Sequence, residues 1–380
     1  MMVVTLLGLL SLSIWIGLLF FHGGFWLCLE RDDRPFPKLE IWPDVVAVVP
    51  ARNEADVIDK TIRSLLTQDY PGNFRIILVN DGSEDNTAEV AVATLQDCQA
   101  DNLVILDGKP VPSGWAGKLW AVEQGIKAAG SVKWLWLTDA DIAHKQDTLR
   151  MLVAKAEEEG LVFHSLMARL SCNNFAEWAL IPAFVFFFQM LYPFRYINDP
   201  KRKVAGAAGG CMLTDRISLE NAGGISSIRH AIIDDCSLGA IMKKQGKIRL
   251  SLTNRSLSIR PYLNFKEIGH MISRSAYAQL RYSPILLALT LIGMGIVYLI
   301  PPFLALLGHG TAAWIGIAGW VMMALAFQPI LHFYHRSPLW GIALPLIAAF
   351  YSGATFFSAV HVWQGRGGMW KGRAQARIGL

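Results

Sequence analysis

Charge is missing from four stretches of this chain, each long enough to cross a bilayer, and that constrains the fold before anything else does. Residues 2–27 (MVVTLLGLLSLSIWIGLLFFHGGFWL) hold no acidic or basic side chain apart from His22. A bilayer core asks for ~20 such residues in helical form, because every backbone N–H and C=O must find its partner within the segment. The apolar character returns after Ser283 in blocks near 284–307, 312–333 and 339–362, broken by Gly308-His309-Gly310 and by His335-Arg336-Ser337-Pro338. The expectation is a transmembrane anchor over residues 1–28, transmembrane helices over 283–363 and a basic tail over 364–380. A cleavable signal peptide is the alternative for the first stretch, but the usual basic start and a small-x-small cleavage site are missing. Buried helices of a soluble domain are the alternative for the other three.

The chain as a whole is 53% hydrophobic and 17% charged, too apolar for an ordinary soluble protein. Its charge is concentrated in the roughly 250 residues between the apolar regions, enough for one well-buried domain. Five cysteines (Cys28, Cys98, Cys172, Cys211, Cys236) are scattered singly, which points to reduced thiols on the cytoplasmic side rather than a disulfide framework. Lys243 to Arg260 holds six basic residues and no acid, and Arg366, Lys371, Arg373 and Arg377 leave the tail purely basic. These runs suit anionic lipid headgroups or a diphosphate, with an ordinary solvated face as the alternative; no nucleic-acid partner is expected.

Between the apolar regions, strand and helix patterns alternate. Val45–Val49, Phe74–Val79, Leu103–Leu106 and Trp134–Thr138 read as strands, and Glu54–Gln68, Glu84–Leu95 and Trp115–Ala129 as helices. That order predicts an α/β domain with a mostly parallel, Rossmann-like sheet, whose ligands gather beyond the carboxyl ends of the strands. Those ends carry Pro50-Ala51-Arg52-Asn53-Glu54, Asn80-Asp81-Gly82-Ser83 and Asp139-Ala140-Asp141. One acid at a strand end is commonly a cap or turn residue, which is the plain reading of Asp81 alone. Acids at three ends point to a site.

Asp139 and Asp141 stand at i and i+2, so from an extended segment both carboxylates can face one way. Hard oxygen ligands at that spacing suit Mg2+ or Mn2+, which would also take up diphosphate oxygens and neutralise a departing nucleoside diphosphate. Gly206–Cys211 (GAAGGC) would let backbone approach a bulky ligand, or is a tight turn. Asp234-Asp235 precedes an apolar helical pattern, where one acid could cap the helix or act as a general base.

The array Val-Pro-Ala-Arg-Asn-Glu (49–54), Asn-Asp-Gly-Ser (80–83), Asp-Ala-Asp (139–141) and Asp-Asp-Cys-Ser-Leu (234–238) resembles the inverting family 2 glycosyltransferases of GT-A fold, over about residues 44–282. The resemblance implies a nucleotide-sugar donor, with Glu54 and Asp81 at the nucleoside and Pro50, Ala51 and Arg52 beside them. It implies Asp139 at donor and metal, Asp141 at the metal, Asp235 as catalytic base with Asp234 at the substrate, and Lys118 near the nucleotide or phosphates. Processive relatives carry Gln-x-x-Arg-Trp where this chain reads Ala278-Gln279-Leu280-Arg281-Tyr282. The departure favours a single transfer, with Arg281 at the leaving diphosphate and Gln279 at the acceptor, or with both as a plain juxtamembrane anchor. Gly-Trp-Ala-Gly-Lys-Leu-Trp-Ala (114–121), Gln-Leu-Arg-Tyr-Ser-Pro (279–284) and Trp-Lys-Gly-Arg (370–373) are similar to the hopene-associated glycosyltransferases, and more broadly to ceramide-glucosyltransferase-like enzymes. That likeness implies a polycyclic lipid acceptor and a bacterial inner membrane.

The catalytic domain is therefore expected over 42–282, facing the cytoplasm. Within it, residues 178–194 (WALIPAFVFFFQMLYPF) are expected to form an interfacial or re-entrant helix, since a true span would put Asp139 and Asp235 on opposite sides of the bilayer; a buried core helix is the alternative. One span before the domain and three after would leave the basic tail outside, against the charge rule, unless a late block is re-entrant. Transfer to a polyisoprenyl phosphate or a growing polysaccharide is a second enzyme reading, and an idle membrane scaffold a third.

Overall fold

A computed structural model describes residues 2–365, 369–370 and 373–374. Of the basic tail, Arg366, Lys371 and Arg377 lie outside the described residues. The chain divides into two compact units, one formed by Glu30–Ser171, Tyr196–Arg260 and Met369–Leu380, the other by Met1–Leu29, Cys172–Arg195 and Pro261–Gly368.

The first unit is built on eight strands: β1 (Val45–Ala51), β2 (Phe74–Asn80), β3 (Leu103–Asp107), β4 (Trp134–Leu137), β5 (Ile142–His144), β6 (Leu161–Arg169), β7 (Met212–Asp215) and β8 (Lys247–Ser258). They lie in the order β3-β2-β1-β4-β7-β6-β8-β5. The four strands legible in the sequence form the parallel half, with β1 paired to β2 (Ala47↔Ile76) and to β4 (Val48↔Leu137). Every residue of β1 is buried, as expected for a central strand covered on both faces, and this is why it reads as an unbroken apolar run. Helices Ile58–Leu66, Thr87–Asp97 and Gly117–Ala128 make the crossovers. The last lies so close to the sheet that a Cβ on Gly125 would fall 2.4 Å from Val48 Cγ1.

The other half of the sheet is mixed. β7 runs antiparallel to both β4 and β6, β6 is parallel to β8, and β5 closes the edge antiparallel to β8. The segment before β1 is stapled to β8: Asp32 N donates to Leu252 O at 3.1 Å, Leu252 N to Glu30 O at 2.8 Å, and the Thr253 hydroxyl to the Asp32 carboxylate.

The second unit is helical, and among the described residues four of its helices are long and apolar enough to cross a membrane: Val3–Phe21, Pro284–Leu307, Thr311–Phe333 and Leu344–Trp363. Pro284–Leu307 widens to a π-helical turn at Gly295–Leu299 just before Pro301 and Pro302, which lack the N–H a regular α-turn uses. Gly316 lets the next helix approach, since a Cβ there would lie 2.5 Å from Ala305 N. Helix Phe175–Leu191 starts on a capping box between Asn174 and Glu177. Sequence reasoning placed 178–194 at an interface inside the catalytic domain. That helix falls in the helical unit, where Phe186 packs on Phe25 and Phe327, and Phe187 on Tyr298 and Tyr351.

Candidate active site

The carboxyl ends of β1 and β2 are tied together by backbone-directed bonds. Ala51 is buried, and its carbonyl accepts from Asp81 N at 2.8 Å. Arg52 turns its guanidinium onto the carbonyls of Asp81 (2.8 Å) and Gly82 (2.6 Å), so it holds the turn that carries Asp81. Asn53 adopts a left-handed φ of 52° and fastens itself to the same turn, its N–H donating to Ser83 Oγ at 3.0 Å and its Oδ1 accepting from Glu84 N at 2.8 Å. This kink presents Glu54, whose N–H donates to Thr87 Oγ1 at 2.8 Å. Glu54 and Asp81 are both buried at the rim.

Lys118, in the first turn of helix Gly117–Ala128, gathers the acids of two distant segments. Its Nζ lies 2.8 Å from Asp139 Oδ1 and 3.1 Å from Asp234 Oδ2. Burial works against its charge, but the two carboxylates outweigh it and leave the ammonium held above the usual lysine range. A Cβ on Gly209 would stand 3.5 Å from Lys118 Nζ, 3.6 Å from Asp235 Cβ and 3.7 Å from Asp139 Oδ2, so the glycine-rich turn faces all three. Pro50, Thr138, Gly209 and Asp234 line one pocket with Lys118 and Asp139, and its floor is apolar, made by Leu137, Met212 and Leu238 among others.

Asp235 lies in the first turn of helix Asp234–Met242, with neither acid capping it, since the N-cap is Ile233. Asp235 Oδ2 accepts from Gly209 N at 3.1 Å and Oδ1 from Cys236 N at 2.7 Å. Burial, then the neighbouring Asp234 carboxylate, push its carboxyl up to about 6, against the pull of those two N–H groups.

Arg260 is the site residue that sequence reasoning left inside a basic run. It follows β8 and reaches three carboxylates: its Nη2 pairs with Glu54, its Nη1 lies 3.0 Å from Asp56 Oδ2, and its Nε lies 3.6 Å from Asp141 Oδ2. The one available signal was its position at the end of that run, directly before Pro261.

Lys118 and Arg260 thus face Glu54, Asp139, Asp141, Asp234 and Asp235, an excess of negative charge. Burial first, then neighbouring carboxylates, hold both Asp139 and Asp141 above the usual carboxylate range. Such a surplus, offered through hard oxygens, fits a divalent cation of the Mg2+ or Mn2+ kind. Among the described residues no group of three or more His, Cys, Asp or Glu side chains could hold an ion unaided, so further ligands would come from donor or water. Gln279 and Arg281 belong to the helical unit, where Gln279 Nε2 donates to Tyr192 OH at 2.6 Å. Arg281 and Tyr282 both have left-handed φ, 51° and 56°.

Strand ends that converge on two aspartates, a half-buried lysine and a further pair of carboxylates make a sugar-nucleotide transferase the natural comparison. Residues 46–223 match the profile of Glycosyl transferase family 2. This segment is similar to family 2 glycosyltransferase domains. Among curated relatives, the succinoglycan biosynthesis protein ExoO of Rhizobium meliloti (strain 1021) is 33% identical over 124 residues, 33% of each chain. The 4,4'-diaponeurosporenoate glycosyltransferase of Staphylococcus aureus (strain USA300) is 26% identical over 246 residues, 62% of this chain and 58% of the relative. This chain thus spans between a third and three fifths of the length of these two relatives. The mannosyltransferase PcManGT from Pyrobaculum calidifontis, solved in complex with GDP-Man and Mn2+, superposes with a TM-score of 0.56 at 16% identity, covering 94% of this chain and 99% of that one. It shares the α/β GT-A-like fold. The narrower likeness to hopene-associated enzymes finds no support among these relatives.

Proposed function

We propose that this protein is an inverting, membrane-bound glycosyltransferase that moves a single sugar from a nucleotide-sugar donor to a lipid acceptor. The observation that carries it is the placement of Asp235. Its carboxylate is fixed by Gly209 N and Cys236 N on one side of the glycine turn, facing the same space as Lys118 and Asp139. A carboxylate held near pH 6 is ionised at neutral pH yet basic enough to take the proton of an acceptor hydroxyl as its oxygen attacks the sugar carbon. Attack from the Asp235 side, opposite the departing diphosphate, inverts the anomeric centre. Lys118 offers a positive charge beside Asp139, where the donor's phosphates would lie, and Glu54 and Asp81 offer acceptors for its nucleoside. Asp139 and Asp141 would hold Mg2+ or Mn2+, which when bound supplies charge neutralisation for the leaving nucleoside diphosphate.

The lipid acceptor is supported by the four apolar helices of membrane-crossing length and by the relative named for 4,4'-diaponeurosporenoate. Polycyclic lipids such as hopanoids fall within that class. A bacterial inner membrane with the α/β unit on the cytoplasmic face accords with the five free cysteines.

The test is to incubate membranes containing the protein with a panel of labelled nucleotide sugars and to identify the labelled lipid. The wild type is expected to attach one sugar, and Asp235→Asn to lose transfer by at least a thousandfold while binding nucleotide nearly unchanged. Wild-type turnover in the variant would remove the base, and long sugar chains in the product would turn the reading to polysaccharide synthesis.

A further inference from the structure

Arg260 has a fixed backbone and a crowded head. Ile259 N donates to Asp141 O at 2.9 Å, continuing the β5–β8 ladder in which Ile142 pairs with Ser258, so the residue is locked to the segment that carries Asp141. Its guanidinium is held in a two-pronged grip by Asp56, Nη1 to Oδ2 at 3.0 Å and Nη2 to Oδ1 at 3.3 Å, and Nη2 also pairs with the buried Glu54. Its distance from Asp141 is of another kind. At 3.6 Å from Nε, the Asp141 oxygen is too far for a hydrogen bond to the guanidinium, yet it lies within close electrostatic reach of a full positive charge.

We propose that Arg260 is a tethered counter-cation, a positioning residue that holds Glu54 for the donor's nucleoside and opposes uptake of a divalent cation at Asp141 until a diphosphate arrives with it. The inference rests on the metal-assisted reading above. A cation bound to Asp141 alone meets the guanidinium as a like charge, which weakens its binding on the order of tenfold or more. The same cation accompanied by a diphosphate brings negative charge that offsets the repulsion. Ion and donor therefore enter together, and the empty rim does not fill with metal. The planar fork is needed for the grip on Glu54 and Asp56, so lysine keeps the charge but not the hold.

The experiment uses the full chain in detergent micelles. MnCl2 alone is titrated with free Mn2+ followed by electron paramagnetic resonance, and UDP or GDP binding is measured separately by calorimetry. Arg260→Gln should bind Mn2+ about tenfold tighter than wild type, or bind it where wild type shows no binding. Arg260→Lys should bind Mn2+ as wild type does, and both variants should bind the nucleoside diphosphate several-fold more weakly. Mn2+ affinity in Arg260→Gln equal to or below that of wild type overturns the proposal, as does absence of binding in both. Asp141→Asn, added to Arg260→Gln, should abolish the gain. If Mn2+ still binds tightly there, the ion is not at Asp141, and it is the metal reading that fails and takes the proposal with it.

Discussion

At the scale of single residues, the proposed mechanism makes Asp235 set the acid limb of activity. Its carboxyl is pushed up to about 6 by burial and by Asp234, so protonation removes the base as pH falls through that value. The kcat/KM for transfer should therefore drop about tenfold per pH unit below 6 and level off above it, measured at fixed metal and donor concentrations. A limb that breaks near 4 would mean an unperturbed carboxylate and a different base. Gly209 offers a separate handle. It has an ordinary backbone φ, and an alanine methyl there would meet its neighbours at van der Waals distance, so Gly209→Ala should fold with stability within about 0.5 kcal/mol of wild type. The methyl would stand in the space between Lys118, Asp139 and Asp235, and kcat/KM should fall about tenfold or more through misplacement of the donor. Unchanged kinetics would show that the donor does not use that face. Arg260 shows why part of the site was hidden: its partner Glu54 is 206 positions away, and nothing local in a basic run says which member will meet acids across the sheet.

At the scale of elements, His144 ties the sheet together behind the paired aspartates. Its Nε2 meets Thr138 Oγ1 at 2.9 Å, Nδ1 meets Ser256 Oγ at 2.9 Å, and Thr138 also donates to Gly210 O at 2.8 Å. One neutral ring thus links β4, β5, β8 and the glycine turn. Burial lowers its pKa from 6.5 to about 3. The unfolded chain then binds a proton that the folded chain refuses, so this histidine's contribution makes stability fall as pH drops from 6.5 towards 3, by about 1.4 kcal/mol per unit. Comparing thermal unfolding of His144→Asn and wild type between pH 7.5 and 5 should show the shallower loss in the variant; parallel curves would mean that the ring titrates freely. The sequence made β1 to β4 legible because buried parallel strands are continuous apolar runs. β8 stayed hidden for the opposite reason. The edge-side strand Lys247–Ser258 alternates Ile248, Leu250 and Leu252 with polar residues, and its charges drew the eye before its period of two did.

At the scale of the whole molecule, the chain passes between its two units more often than composition implied. Residues 172–195 leave the α/β unit for the helical one and the chain then returns at Tyr196, so the α/β unit is drawn from stretches of sequence on either side of that excursion. Composition could not reveal this, because a 17-residue apolar helix is too short to declare itself as a span and too apolar to look like part of a soluble rim. The detour has a practical edge. A polypeptide of residues 30–260 would retain helix Phe175–Leu191 but lose Phe25, Phe327, Tyr298 and Tyr351, leaving Phe186 and Phe187 stripped of most of their ring partners. Such a truncation should sediment as aggregate when expressed, whereas one that also replaces 172–195 by a short polar linker should stay in the supernatant and still bind nucleotide. Separating the α/β unit from the apolar helices therefore takes a third incision besides those at its two ends, in the middle of what looks like soluble sequence.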